Sequence, residues 1–278
     1  VNGIQLEYET IGAPSGRPLL LIMGMGGHLI HWSDQVCNQL VDEGHWVIRF
    51  DNRDCGLSSR MEDLPVPDPM EAIKARMEGK PYTPPYDYYD MADDAIGLLN
   101  FLGIPKAHIC GMSMGAAIAQ TVAISHPSKV SSLISISGTS GSSRLPQMKP
   151  EIFALFATIP LCQNRNAYVD STINLHKGTR GSGFPIDEER DRKMMGETYD
   201  RSFYPAGLAR QFAAAFGRSR VKALATITAP TLVIHGDEDP VIPVEGGRDT
   251  AEKIPGAELM IIRGMGHEEP YGGFWPQI

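Results

Sequence analysis

The chain has 278 residues, 42% hydrophobic and 21% charged, which is enough apolar material for one large α/β domain carrying an insertion. A formal net charge of −8 argues against nucleic acid or an anionic membrane surface as the main partner. No apolar run is long enough to span a bilayer, the first residues lack the pattern of a signal peptide, and the four cysteines form no CxxC pair that would suggest zinc or a disulfide framework. A reducing, cytoplasmic setting is therefore expected, with Cys110 a buried thiol. The chain opens on Val1 and stops soon after its last motif, so leading residues and a closing helix are expected to be missing.

In chain order, residues 4 to 8 (IQLEY) alternate apolar and polar, as an edge strand does. RPLLLIMG reads as a fully buried strand, followed by the loop Met23-Gly24-Met25-Gly26-Gly27 and a helix over 32–43. WVIRFD is the third strand and runs into the turn DNRDCGLS. Residues 61–89, rich in Pro, Tyr and charge, read as an excursion above the sheet with a short helical pattern, MEAIKARMEG. A helix over 90–102, the strand AHICGM, a helix over 114–126 and the strand VSSLISISG follow. Residues 139–222 contain no strand pattern: the linker TSGSS leads to helical segments such as EIFALFATI and LARQFAAAFGRSRVKAL. The strand APTLVIHG, a helix over 244–253 and the strand AELMIIRG close the chain. Strands separated by helices predict an α/β fold with a mostly parallel, doubly wound sheet covered on both faces. The core is expected at 1–138 and 223–278, with a helical cap at 139–222 between the fifth and sixth strands.

Gly111-Met112-Ser113-Met114-Gly115 fits G-x-S-x-G between a strand and a helix. Such a turn is tight and strained, needs small residues on either side, and lifts the serine hydroxyl above the sheet edge. A hydroxyl attacks well only when a base takes its proton. Of eight histidines, His267 stands on a Gly-rich loop past the seventh strand and can reach that edge. His235 ends the sixth strand too close to the sheet, His126 reads as a helix cap, and His28 and His31 follow the first Gly loop. The imidazole needs a carboxylate to hold its tautomer, and Asp239 in HGDEDPVIP is the candidate, with Asp237 and Glu238 as rivals. The order Ser113, Asp239, His267 favours Asp239. An oxyanion hole is expected from the N–H groups of Met25 and Met114. Met25, His28, Trp32, Met112, Phe153, Phe156 and Phe212 are the candidates to line an apolar substrate pocket.

With GMSMG, GDEDPVIP, GMGHEEP and DNRDCGLS in place, the chain resembles the α/β-hydrolase fold family over nearly its whole length. VIRFDNRDCGLSS together with the Met-Gly loop resembles aclacinomycin methylesterase-like members, which cleave a methyl ester of a polyketide. The resemblance implies a carboxylic-ester hydrolase working through a covalent acyl-serine, with no metal or organic cofactor. A small ester or lactone is the expected partner of a monomer or homodimer. The alternatives are an N-acyl-homoserine lactonase using the same three residues, and a non-catalytic ligand receptor on the same fold. A dinucleotide-binding reading of Gly24-Met25-Gly26 fails because position 29 is Leu where a third Gly belongs.

Overall fold

The computed structural model describes residues 1–268. The end of the expected core segment and the last two residues of GMGHEEP therefore lie outside the described residues. Seven strands form one sheet: β1 (Tyr8–Ile11), β2 (Arg17–Ile22), β3 (His45–Phe50), β4 (Ala107–Met112), β5 (Val130–Ile136), β6 (Thr231–Gly236) and β7 (Glu258–Ile262). Their order is β1-β3-β2-β4-β5-β6-β7; β1 runs antiparallel to β3 and every other pair is parallel. The expected α/β class and mostly parallel sheet are borne out.

Alternation along β2 sorts its side chains between two layers. Leu20 and Ile22 pack with Ile96 and Leu99 of α3 (Tyr88–Phe101) and Ile118 of α4 (Met114–Ser125). Leu19 and Leu21 face the other way, toward Cys37 of α1 (Asp34–Asp42) and Ile234 and Ile262 of the later strands. This is the period of two expected of a strand covered on both faces. Ser33 starts α1 by accepting the Val36 N–H at 3.3 Å, and Asp87 starts α3 through a capping box. A short helix α2 (Pro69–Met77) lies in the 61–89 excursion.

Between β5 and β6 the chain forms α5 (Pro150–Phe156), α6 (Arg165–Thr179), α7 (Glu188–Arg201) and α8 (Pro205–Ala214). Their apolar faces share a small cluster around Tyr168, Ile173 and Met195. Ion pairs tie them to the sheet edge: Arg210 to Asp54 at 2.8 Å and Arg201 to Asp51 at 3.1 Å. Past β6, α9 (Glu245–Lys253) leads to β7.

Two expectations shift. The first strand lies at 8–11 rather than 4–8, because Gln5 and Glu7 spend their backbone groups on Ser58, Ser59 and Asp51 of the turn after β3. The run LARQFAAAFGRSRVKAL is not one helix. α8 ends at Ala214, and Gly217 packs so closely on Asp87 that a Cβ there would sit 2.3 Å from the Asp87 Cβ.

Candidate active site

Ser113 sits at φ 55°, ψ −117°, in the left-handed half of the map that a side chain rarely adopts. Its neighbours explain how the turn is tolerated. A Cβ at Gly111 would lie 2.0 Å from the Gly115 carbonyl oxygen, and one at Gly115 would lie 2.1 Å from the Ile22 carbonyl oxygen. The Ser113 N–H donates to the Ile136 carbonyl at 2.9 Å, and its own carbonyl accepts the Ala116 N–H at 3.1 Å. The bend is thus tied to β5 on one side and to α4 on the other.

Ser113 Oγ lies 2.9 Å from His267 Nε2, and His267 Nδ1 lies 2.7 Å from Asp239 Oδ2. The three side chains come from β4–α4, the loop after β6 and the loop after β7. Asp239 Oδ1 accepts the Val241 and Ile242 N–H groups at 2.9 Å each, which fixes the carboxylate plane. Burial by itself would raise the Asp239 pKa. The His267 charge and hydrogen bonds from His235 and His267 outweigh it, and the carboxyl stays below its usual range. The rival acids are engaged elsewhere: Asp237 accepts the Gly264 N–H at 2.6 Å, and Glu238 accepts from Ser182 N–H and Oγ at 2.6 and 2.8 Å. His235 Nε2 is held by the Ile242 carbonyl at 2.8 Å, and His126 pairs with Asp93 at 2.7 Å. His267 is placed by its own backbone, whose N–H donates to the carbonyl of Thr179 at the end of α6 at 2.8 Å.

The Met-Gly loop passes beside the serine, since a Cβ at Gly24 would meet Ser113 Oγ at 3.7 Å. Gly26 N–H donates to Gln211 Oε1 at 2.8 Å and Gly27 N–H to the Gly24 carbonyl at 3.1 Å. The Met25 and Met114 N–H groups have no acceptor among the described residues. Asn52 Nδ2 donates to the Met23 carbonyl at 3.0 Å, and Gln211 Nε2 to the Arg53 carbonyl at 2.8 Å. No sequence motif marks these clamps on the loop. The signal was present as a Gln inside the apolar run of α8, a polar group that must find partners when buried.

A cavity of about 220 Å³ opens above Ser113. Met25, His28, Met112 and Phe156 line it, with Tyr168, Leu175, Met195, Phe203 and Leu208 from the helical segment. Trp32, Phe153 and Phe212 do not. Trp32 is fully buried beneath the sheet edge against β2 and α1, and Phe153 and Phe212 pack on each other at 6.3 Å between α5 and α8. Residue type marked these three as apolar but could not say which way they face. Burial, then the His31 and Arg201 charges, push the His28 pKa down to about 3, so His28 presents a neutral ring to the cavity. Glu268, next to His267, is a lining residue the motifs did not single out. Its Oε1 accepts the Gly181 and Gly266 N–H groups at 2.9 and 3.1 Å.

A hydroxyl on a strained strand-to-helix bend, an imidazole and a buried carboxylate in series, and a glycine loop alongside define the hydrolase class of α/β folds. The family model for the alpha/beta hydrolase fold matches residues 17–270, and the chain belongs to that family. Rhodomycin D methylesterase DnrP of Streptomyces peucetius is 27% identical over 96% of this chain and 90% of its own length, in keeping with the methylesterase-like resemblance. A poly(3-hydroxyalkanoate) depolymerase of Ectopseudomonas oleovorans is 28% identical over 93% of this chain and 83% of its own. Among solved structures, the enol-lactonase from Burkholderia xenovorans LB400 superposes with a TM-score of 0.70 at 22% identity, covering 96% of this chain and 91% of its own, which speaks to the fold. Family and relatives make this chain an enzyme of the carboxylic-ester hydrolase class, as the motifs led one to expect.

Proposed function

We propose that the protein is a serine hydrolase that cleaves a small, largely apolar carboxylic ester through an acyl-enzyme. One observation carries the reading: the unbroken chain from Ser113 Oγ through His267 to Asp239, at 2.9 and 2.7 Å, at the base of a mainly apolar cavity. Ser113 is the nucleophile. His267 Nε2 takes its proton as Oγ attacks the ester carbonyl, while Asp239 holds the Nδ1–H tautomer and stabilises the imidazolium. The N–H groups of Met25 and Met114 receive the oxyanion. His267 then protonates the leaving alcohol, and water repeats the sequence on the acyl-serine to release the acid.

In this reading the segment 139–222 acts as a cap: it supplies half of the cavity wall and, through Thr179 and Gln211, holds both the His267 loop and the oxyanion loop. Met25, His28, Met112 and Phe156 contact the substrate. Methionines and aromatics suit an alkyl or aryl acyl group.

The test is a series of p-nitrophenyl esters of graded acyl length, run beside an N-acyl-homoserine lactone. Wild-type protein is expected to turn over the short and medium esters, and Ser113→Ala to lose at least about 10³-fold in kcat with its circular dichroism unchanged. Full activity in Ser113→Ala would overturn the mechanism. Preference for the lactone by kcat/KM would keep the mechanism and move the substrate to cyclic esters.

A further inference from the structure

A second cleft, of about 400 Å³, shares no lining residue with the cavity above Ser113 and lies where α2 meets the two stretches of chain that leave and rejoin the core. Residues 140–144 form one wall and 215–221 the other. The described residues that line it include five cationic side chains and no carboxylate, in a chain whose net charge is −8. Two of the five are already neutralised: Lys80 by Glu78 at 2.6 Å and Arg218 by Asp87 at 2.6 Å. Arg76, Arg144 and Arg220 make no ion pair among the described residues.

Arg220 is the unusual one, with only 6% of its surface exposed. Its Nε donates to Gln120 Oε1 at 2.8 Å and its Nη2 to the Thr139 carbonyl, both neutral acceptors, and its guanidinium lies over the Tyr88 ring at 5.5 Å. Burial lowers its pKa, and among the charges acting on it Arg76 lowers it further, with no carboxylate among them. Asp249, the acid that reaches this region through Ser140, is taken up by Ser140 Oγ and by Lys253 at 2.6 Å. A buried guanidinium without a counter-charge is costly, and natural proteins rarely leave one so. Arg220 Nη1 makes no hydrogen bond among the described residues and lies beside Gly141, a cleft-lining residue where a Cβ would sit 3.2 Å away, so it is the edge turned toward the cleft. Arg76 stands over Phe216 at 5.7 Å on the rim.

We propose that this cleft is a second ligand site, separate from the esterase centre, that takes a small soluble anion of the phosphate type. Arg220 would receive it at the floor, and Arg76 and Arg144 at the rim. A guanidinium fork matches oxyanion geometry better than it matches chloride, and several cations around one cleft favour a doubly charged ligand. Because its walls are the two crossings between core and helical segment, the bound anion would pin them together.

Calorimetric titration of the whole chain with sodium phosphate, at ionic strength held constant with sodium chloride, tests this. Saturable one-to-one binding is expected, with acetate weaker. The double variant Arg76→Ala/Arg144→Ala, which changes one half-buried and one exposed residue, should bind about tenfold or more weakly, the loss expected for a charge-assisted hydrogen bond. Arg220→Lys keeps the charge but loses the fork and should fall as far; should it not fold, the rim variant decides alone. Arg192→Ala, on α7, should bind like wild type. Absence of saturable phosphate binding, or binding that survives the double variant, overturns the site. Acetate binding as tight as phosphate overturns the choice of anion, and co-sedimentation with phosphatidic acid vesicles that the double variant abolishes overturns a soluble ligand. None of these readouts depends on ester turnover.

Discussion

Gln211 illustrates what a single buried amide does for a site it never touches. Its Oε1 accepts the Gly26 N–H and its Nε2 donates to the Arg53 carbonyl, so one side chain on α8 joins the Met-Gly loop to the turn after β3. In the proposed mechanism this contact would hold the neighbouring Met25 N–H toward the developing oxyanion. Gln211→Ala is expected to lower kcat on a p-nitrophenyl ester by about tenfold with KM little changed, since the contact matters most when charge develops. Gln211→Glu, which keeps the acceptor to Gly26 but loses the donor to Arg53, should recover part of the rate; a merely structural role would instead move the two variants together with stability. The same reasoning applied to residue type alone fails at Trp32, Phe153 and Phe212. All three are apolar, yet none lines the cavity: Trp32 is buried against β2 and α1, and Phe153 and Phe212 pack on each other.

At the scale of elements, the turn between β4 and α4 works because three backbones crowd together without side chains between them. Gly115 lies against the Ile22 and Met23 carbonyls at and just past the end of β2, and Gly111 against Gly115 itself. A methyl at 115 has to push α4 away from the sheet. Gly115→Ala is expected to cost about 3 kcal/mol, the upper part of the usual range for overpacking, read as a fall in the urea midpoint with the slope unchanged. Gly103→Ala, at φ 69° with open space around it, should cost less, because only backbone strain opposes it. The strands and main helices were legible along the chain because their apolar periods are long and uninterrupted: β2 and β4 through β7 fall within the runs that predicted them, and β3 starts one residue before its run, at His45. The exceptions are caused by contacts with distant residues. Residues 4–7 alternate like a strand but pair with the turn after β3, and the α8 run ends at Ala214 because Gly217 must pass close to Asp87.

At the scale of the molecule, acid should unfold this protein through groups that the fold keeps uncharged or holds charged. The ordinary His pKa is 6.5, and in the fold His28 lies at about 3. Between those values the unfolded chain binds a proton that the folded chain refuses, so stability rises with pH across this window and is level above it. The expected slope is at most about 1.4 kcal/mol per pH unit from this group. Asp239, held below the usual carboxylate range, adds a loss at more acid pH, as the unfolded carboxyl takes up protons first. Urea midpoints from pH 7 to pH 4 should therefore fall in wild type and fall less in His28→Asn; equal slopes would mean His28 is not the group responsible.

The sequence alone determined the α/β architecture, and it singled out Ser113, His267 and Asp239 as candidates from the motifs around them, because periodicity and turn chemistry are properties of contiguous residues. Tertiary structure alone decided that those three side chains lie within hydrogen-bonding distance, that Gln211 and Thr179 brace the loops around them, and which aromatics face the cavity. Those facts depend on the relative placement of segments far apart in the chain, and placement of that kind leaves no local trace in the chain.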